Sequence, residues 1–402
     1  MTEPSESEAD RVTERVQAIE PHGIREMFEL AAEHDGDLVH LEFGEPDFDT
    51  PGHVVEAAHE AASAGRTKYT SNAGIRELRE AVAAYLGRDG GPTPDPASEV
   101  AITTGGVEAL HLAIHTVADP GAEVVVPTPA WPNPISQAKL ADAVPVEVPM
   151  PAEEGFAPDA ERIVDAIGPD TAAVLLTSPS NPTGQVFPTE AVERVVAAAG
   201  EHGAYVLADE VYRELTYGER PPRTAAVADR LDREEWVLSV GSVSKTYAMT
   251  GWRVGWLAGP DDVLSQVTKI RESTTSCVNT PAQYAAIAAL TGPQEPVDEM
   301  KAAFRERREY VMDRIEDIPR ISVARPDGAF YAFVDVSALD GSSSAVAERL
   351  LAEHGVVTAP GAAFGAGGEG HLRLSFANGL DRLELGLDRL EAMVAADADG
   401  DE

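Results

Sequence analysis

The chain is short of cysteine and of lysine, and both shortages constrain it. One cysteine, Cys277, occurs in 402 residues. That excludes an internal disulfide and argues against a cysteine-based metal site, so no metal is expected. Only five of the 31 basic residues are lysine, against 69 acidic residues, and the formal net charge is -38. A surface that acidic repels nucleic acid and anionic membranes, so neither is expected as a partner. An acidic, lysine-poor composition fits a protein that works in high salt, where ions screen self-repulsion. Acidic bias from a GC-rich genome is the alternative. No apolar run approaches the roughly 18 residues needed to cross a bilayer. The opening "MTEPSESEADRVTERV" lacks the apolar stretch of a secretory signal. A cytoplasmic location is the expectation.

What is present points to a globular enzyme-sized chain. Apolar residues make up 43% and aromatics 6%, and the length favours two intimately packed domains. The acidic start and the closing "AADADGDE" read as solvated termini. Between them, short apolar runs alternate with helical patterns, the signature of an α/β fold with a mostly parallel sheet and helices on both faces. The expected strands are 99–104, 123–127, 172–178, 204–209, 236–240 and 253–259. A helix is expected over "GVEALHLAIHTVA", and another over "TEAVERVVAAAGEHG" with Thr189 as its N-cap. After about residue 290 a long charged helix precedes "GAFYAFVDV" and "HLRLSFA", suggesting a smaller α+β domain. The expected organisation is 1–50 joining the small domain, 51–290 as the large domain and 291–402 as the small one.

Ligands of open α/β sheets bind at the carboxyl ends of the strands. Here those ends read "TGGVEAL", "PTPAWPNP", "SPSNPTG", "DEVY" and "GSVSK". Gly105 and Gly106 close a strand and open a helix, which makes either an ordinary tight turn or an anion seat at the helix N-terminus. Ser242, Ser244 and Arg253 could serve the same phosphate. Asp209 ends an apolar strand, where a carboxylate needs a cation or acts as a cap. Tyr212 follows three residues on, Asn181 sits in a proline-braced turn, and Trp131 offers a flat apolar face. Lys245, one of the five lysines, stands at a strand end among them. The set matches the needs of pyridoxal phosphate: an amine to form its Schiff base, a carboxylate opposite its pyridinium nitrogen, and an anchored phosphate.

At this point the chain resembles the class I/II aminotransferases among the fold-type I pyridoxal phosphate enzymes, nearest to the prokaryotic aspartate-aminotransferase-like subgroup. The motifs that carry the resemblance span most of the chain. They are "FGEPDFDTP" (43–51), "KYTSNAGIRELREAVA" (68–83), "TTGGVEAL", "SPSNPTGQVF", "ADEVYREL", "SVSKTYAMTGWRVGW", "PDGAFYAF" and "HLRLSFA". The resemblance implies transfer of an amino group from an α-amino acid to a 2-oxo acid, with 2-oxoglutarate the expected acceptor. It implies that Lys245 carries the cofactor as a Schiff base and shuttles the proton, while Asp209 pairs with the pyridinium. Asn181 and Tyr212 would contact the phenolic oxygen. Gly106, Val107, Ser242, Ser244 and Arg253 would hold the phosphate, with Trp131 stacked on the ring. Arg373 would clamp the substrate carboxylate, beside the backbone of Gly44 and near Asn181. Tyr69 would reach the phosphate of a neighbouring subunit, implying a homodimer with shared sites.

Aspartate-specific relatives carry a lysine after the glycine pair, and this chain has Val107. No arginine lies between Arg271 and Lys301, where other aspartate enzymes place a side-chain clamp. Alanine, aromatic and branched-chain donors therefore stand beside aspartate, and Arg25 is a candidate cation for a dicarboxylic substrate. A pyridoxal-phosphate β-lyase or aminocyclopropane-carboxylate synthase is the rival reaction, since the same groups serve whichever Cα bond breaks. A non-catalytic binding module would need a DNA-binding region, for which these acidic termini offer neither room nor charge.

Overall fold

The six apolar runs expected as strands pair into one sheet with a seventh that sequence reading passed over. The computed structural model describes residues 12–19, 23–34 and 36–399; the acidic start and the last residues of the closing "AADADGDE" lie outside them. The sheet strands are β2 (Val100–Thr103), β3 (Glu123–Thr128), β4 (Val144–Pro149), β5 (Thr171–Thr177), β6 (Tyr205–Asp209), β7 (Val237–Ser242) and β8 (Gly255–Ala258), with β1 (Val39–His40) lying elsewhere. Their order is β2-β8-β7-β6-β5-β3-β4. Pairing is parallel from β4 through β7, while β8 runs antiparallel to both β7 and β2. The unexpected strand β4 contains Pro145 and Pro149, which argue against a strand. It pairs with β3 alone, and an edge strand tolerates proline because one side needs no ladder bonds.

The inner strands are mostly apolar because both faces are covered. Along β5, Val174 and Leu176 join the core under the Thr189–His202 helix, whereas Ala173 and Leu175 join the core under the Gly105–Val117 helix. Period-two alternation thus sends successive residues into two different cores. Thr189 is not the N-cap of its helix. Pro188 occupies that place with φ -66° and ψ 152°, and no side chain caps the end. The fixed proline φ already sets the entry, which puts Thr189 at the first helical position.

A second, antiparallel sheet has the order β12-β13-β10-β9, built from β9 (Ser322–Val323), β10 (Tyr331–Asp335), β12 (Ala359–Pro360) and β13 (His371–Ser375). The N-terminal β1 pairs in parallel with β11 (Val356–Val357). Phe304 of the Glu295–Glu316 helix and Leu387 of the Leu380–Asp399 helix share one core with Leu41, Phe330 and Leu372. Residues near both ends of the chain are therefore packed together.

β8 approaches the β2 turn so closely that only glycine fits at its start. A Cβ on Gly255 would lie 2.6 Å from the Gly105 carbonyl carbon and 2.8 Å from the Gly106 nitrogen. Both are backbone atoms and cannot rotate away. Gly255→Ala should destabilise the protein by about 1–3 kcal/mol, the usual cost of overpacking. A lower urea midpoint at unchanged m-value would show it.

Candidate active site

The parallel strands β2, β3, β5, β6 and β7 all finish at one edge of the large sheet. Because β8 is antiparallel, its beginning reaches that same edge, with Gly255 registered against both Thr103 and Ser242. Arg253 therefore belongs to the same site although it precedes its strand. It lies outside β8, in the left-handed region at φ 55°, and its Nη1 donates to the Thr250 carbonyl at 2.8 Å.

An anion seat forms there from local geometry. Gly105 has φ 77°, and a Cβ on it would sit 2.6 Å from Arg253 Nη2. Its lack of a side chain lets the guanidinium lie against the first turn of the Gly105–Val117 helix, whose free amides carry the positive end of the dipole. Ser242 Oγ accepts from the Ser244 amide at 3.0 Å and lies 2.7 Å from Ser244 Oγ. From the far side, Arg271 supports this turn. Fully buried, it donates to the carbonyls of Asn72 and Ile102 and pairs with Glu108 at 3.7 Å.

Deeper in, Lys245 Nζ donates to the Gly44 carbonyl and stands 5.9 Å from the centre of the Tyr212 ring. Burial, with the positive charges of Arg373 and Arg253, brings its ammonium down to about 8, which makes it a readier source of free amine than an exposed lysine. Asp209 is 4% exposed. Burial pushes its carboxyl up to about 7, opposed by a bond from the Val211 amide and weakly by Lys245. Tyr212 Oη is 2.8 Å from Tyr331 Oη, and burial raises both phenols. From the small sheet, Arg373 donates through Nη1 to Asn181 Oδ1 at 3.0 Å and through Nη2 to the Glu42 carbonyl.

These groups line one cavity of about 340 Å³. It brings together Gly44, Gly106, Val107, Trp131, Asn181, Asp209, Tyr212, Ser242, Ser244, Lys245, Arg253 and Arg373. Tyr69 is not among them and stands 91% exposed. Arg25 also stays outside, its side chain 82% exposed and paired with Glu29 at 2.9 Å. Sequence reading missed Ile24, Phe28, Glu42, Phe43 and Tyr331, which also line the cavity. Phe43 and Tyr331, inside the quoted "FGEPDFDTP" and "PDGAFYAF", had a local signal.

The cavity fits pyridoxal phosphate on three counts. The glycine-bared seat with two hydroxyls and a guanidinium suits a phosphate. The buried Asp209 has no ion-pair partner among the described residues and suits a protonated ring nitrogen. Lys245 offers an amine between them. Fold and cavity together fit an enzyme of the pyridoxal-phosphate type.

The comparisons carry the assignment further. The family model for aminotransferase class I and II matches residues 36–385. The aspartate/prephenate aminotransferase of Thermus thermophilus is 40% identical over 387 residues, covering 94% of this chain and 97% of that protein. The structure of Thermus thermophilus aspartate aminotransferase with maleate has a TM-score of 0.90 at 38% identity, over 95% of this chain and 99% of that one. The aromatic aminotransferase structure from Pyrococcus horikoshii gives 0.86 at 34% identity, over 93% and 99%. The chain belongs to the class I and II aminotransferases. It is a transaminase that uses pyridoxal 5′-phosphate.

Asp209 gives a pH signature in the cofactor-free protein. It binds its proton more tightly folded than unfolded, so its stabilisation is complete below 3.8 and is lost as pH rises through about 7. Asp209→Asn removes that dependence. Urea unfolding across this window should show wild type losing stability relative to Asp209→Asn as pH rises. Parallel curves would refute the shift.

Proposed function

We propose that Lys245 holds the cofactor and moves the substrate Cα proton, with Asp209 opposite the ring nitrogen and Arg373 on the substrate α-carboxylate. The observation that carries this reading is the shared burial of Lys245 and Asp209 in one cavity, which favours the neutral form of both. Bound pyridoxal phosphate supplies a ring that takes up the negative charge left when a Cα proton departs. Lys245 Nζ, partly neutral near pH 7, accepts that proton and returns it one transfer later. Ionised Asp209 keeps a proton on the nitrogen facing it, which offsets its own burial. Asn181 and Tyr212 donate toward the phenolic oxygen. Ser242, Ser244, Arg253 and the amides of Gly106 and Val107 hold the phosphate, and Trp131 covers the ring. Arg373, with five fixed donors, grips a carboxylate in a way lysine could not, beside Gly44 and Asn181.

Tyr69, exposed on this chain, is proposed to complete the site of a second copy in a homodimer. The division into 1–50, 51–290 and 291–402 is supported by the separate sheets. Among the described residues no helix is long and apolar enough to cross a membrane. Together with the charge of -38, this supports a cytoplasmic protein adapted to high salt.

Borohydride reduction of the loaded enzyme should fix the pyridoxyl group on Lys245, read by peptide mapping; finding it on Lys139 or Lys269 would sink the assignment. Lys245→Ala should lower transamination by about 10²–10⁴-fold or more, the usual weight of a positioned proton carrier. Mixing Lys245→Ala with a Tyr69 variant impaired in cofactor binding should restore part of the activity. Exchange of subunits without recovery would confine the site to one chain.

A further inference from the structure

We infer that the side-chain end of this cavity selects a large apolar donor, an aromatic or branched-chain amino acid. Phe28 is its main wall, and no described residue leaves a cation free there for a second carboxylate. The inference rests on the transaminase reading above and deepens it.

The wall begins on the Gly23–Ala32 helix. Ile24 and Phe28 stand one turn apart and so share a face, and both line the cavity. Arg25, one residue further round, is tied to Glu29 outside it. Phe28 meets Phe43 edge to face at 5.7 Å, and Val107 contributes another apolar side chain at the start of its helix. Phe28 is 51% and Phe43 37% exposed. That much aromatic surface facing water at a pocket mouth is stabilised when a ligand covers it. A methyl group is too small to do so; a ring or branched chain is large enough.

The charges point the same way. Among the described residues lining the cavity, the cations are Lys245, Arg253 and Arg373. The first serves the cofactor, the second the phosphate seat, and the third the α-carboxylate. Glu42 is 2% exposed with its Oε1 2.7 Å from His40 Nδ1, and burial raises its carboxyl, so its side chain brings no cation to the cavity either. A second carboxylate entering here would lose its water and meet no free cation among the described residues.

The test compares unreactive ligands by titrating tryptophan fluorescence of the loaded enzyme, with Trp131 in the cavity as reporter. Hydrocinnamate should bind about tenfold or more tightly than succinate, from the apolar area covered. Phe28→Ala should weaken hydrocinnamate about tenfold, and Phe28→Leu less. In the half-reaction with donor alone, phenylalanine or leucine should exceed both alanine and aspartate in kcat/KM. Equal or tighter succinate binding, or hydrocinnamate affinity indifferent to Phe28→Ala, overturns the inference. So does a preference for aspartate, which would point to a cation from a partner subunit. Each of these leaves the transaminase reading intact. Failure of every donor, with no reducible adduct on Lys245, would instead remove that reading and this inference with it.

Discussion

The guanidinium of Arg373 holds the two sheets in the relation that makes a cavity. It is carried by β13 of the small sheet, yet it bonds Asn181 from the loop after β5 and the Glu42 carbonyl that follows β1. Its carbon lies 4.5 Å from the centre of the Tyr331 ring and 5.0 Å from that of Phe364. A charge buried this far would be costly alone, and burial does lower its proton affinity. Carbonyl acceptors and aromatic faces offset that cost. The neighbouring Tyr331–Tyr212 contact ties β10 to the loop after β6, so the small sheet closes the mouth that the large sheet opens.

Within that enclosure the electrostatics run against the rest of the molecule. A chain of net charge -38 gathers Lys245, Arg253 and Arg373 around one cavity. Low-dielectric walls concentrate their field, which draws anionic substrates inward and strengthens each contact made there. The same burial displaces Lys245 downward and Asp209 upward. A free amine and a carboxyl seeking a cation are both consequences of dehydration, and both are what pyridoxal phosphate chemistry requires. The shortage of lysine has a counterpart here: surface lysines are rare, while the buried one faces the cavity.

Much of this was legible along the chain because the signals are local. Apolar runs of four to seven residues read as strands, and the polar residues closing them lie at one sheet edge because parallel strands share their carboxyl ends. Where local signals conflict with context, reading by pattern misleads. Sequence reading passed over β4, whose prolines an edge strand accepts. Thr189 looked like a cap, but Pro188 already set the turn. Ile24, Phe28 and Glu42 carry no local mark at all, since they reach the cavity only when a segment before residue 45 folds onto one after residue 370.

The sequence by itself determined the alternation of strands and helices, the amine, carboxyl and anion seat at their ends, and the family those motifs share. Each depends on residues close together along the chain. Only the tertiary structure decided that β8 reverses and so delivers Arg253 from its beginning. Tertiary packing also turned Arg25 outward, leaving Ile24 and Phe28 on the helix face that lines the cavity. Those outcomes come from packing between segments hundreds of residues apart, where one turn of a helix decides which side chain meets the ligand.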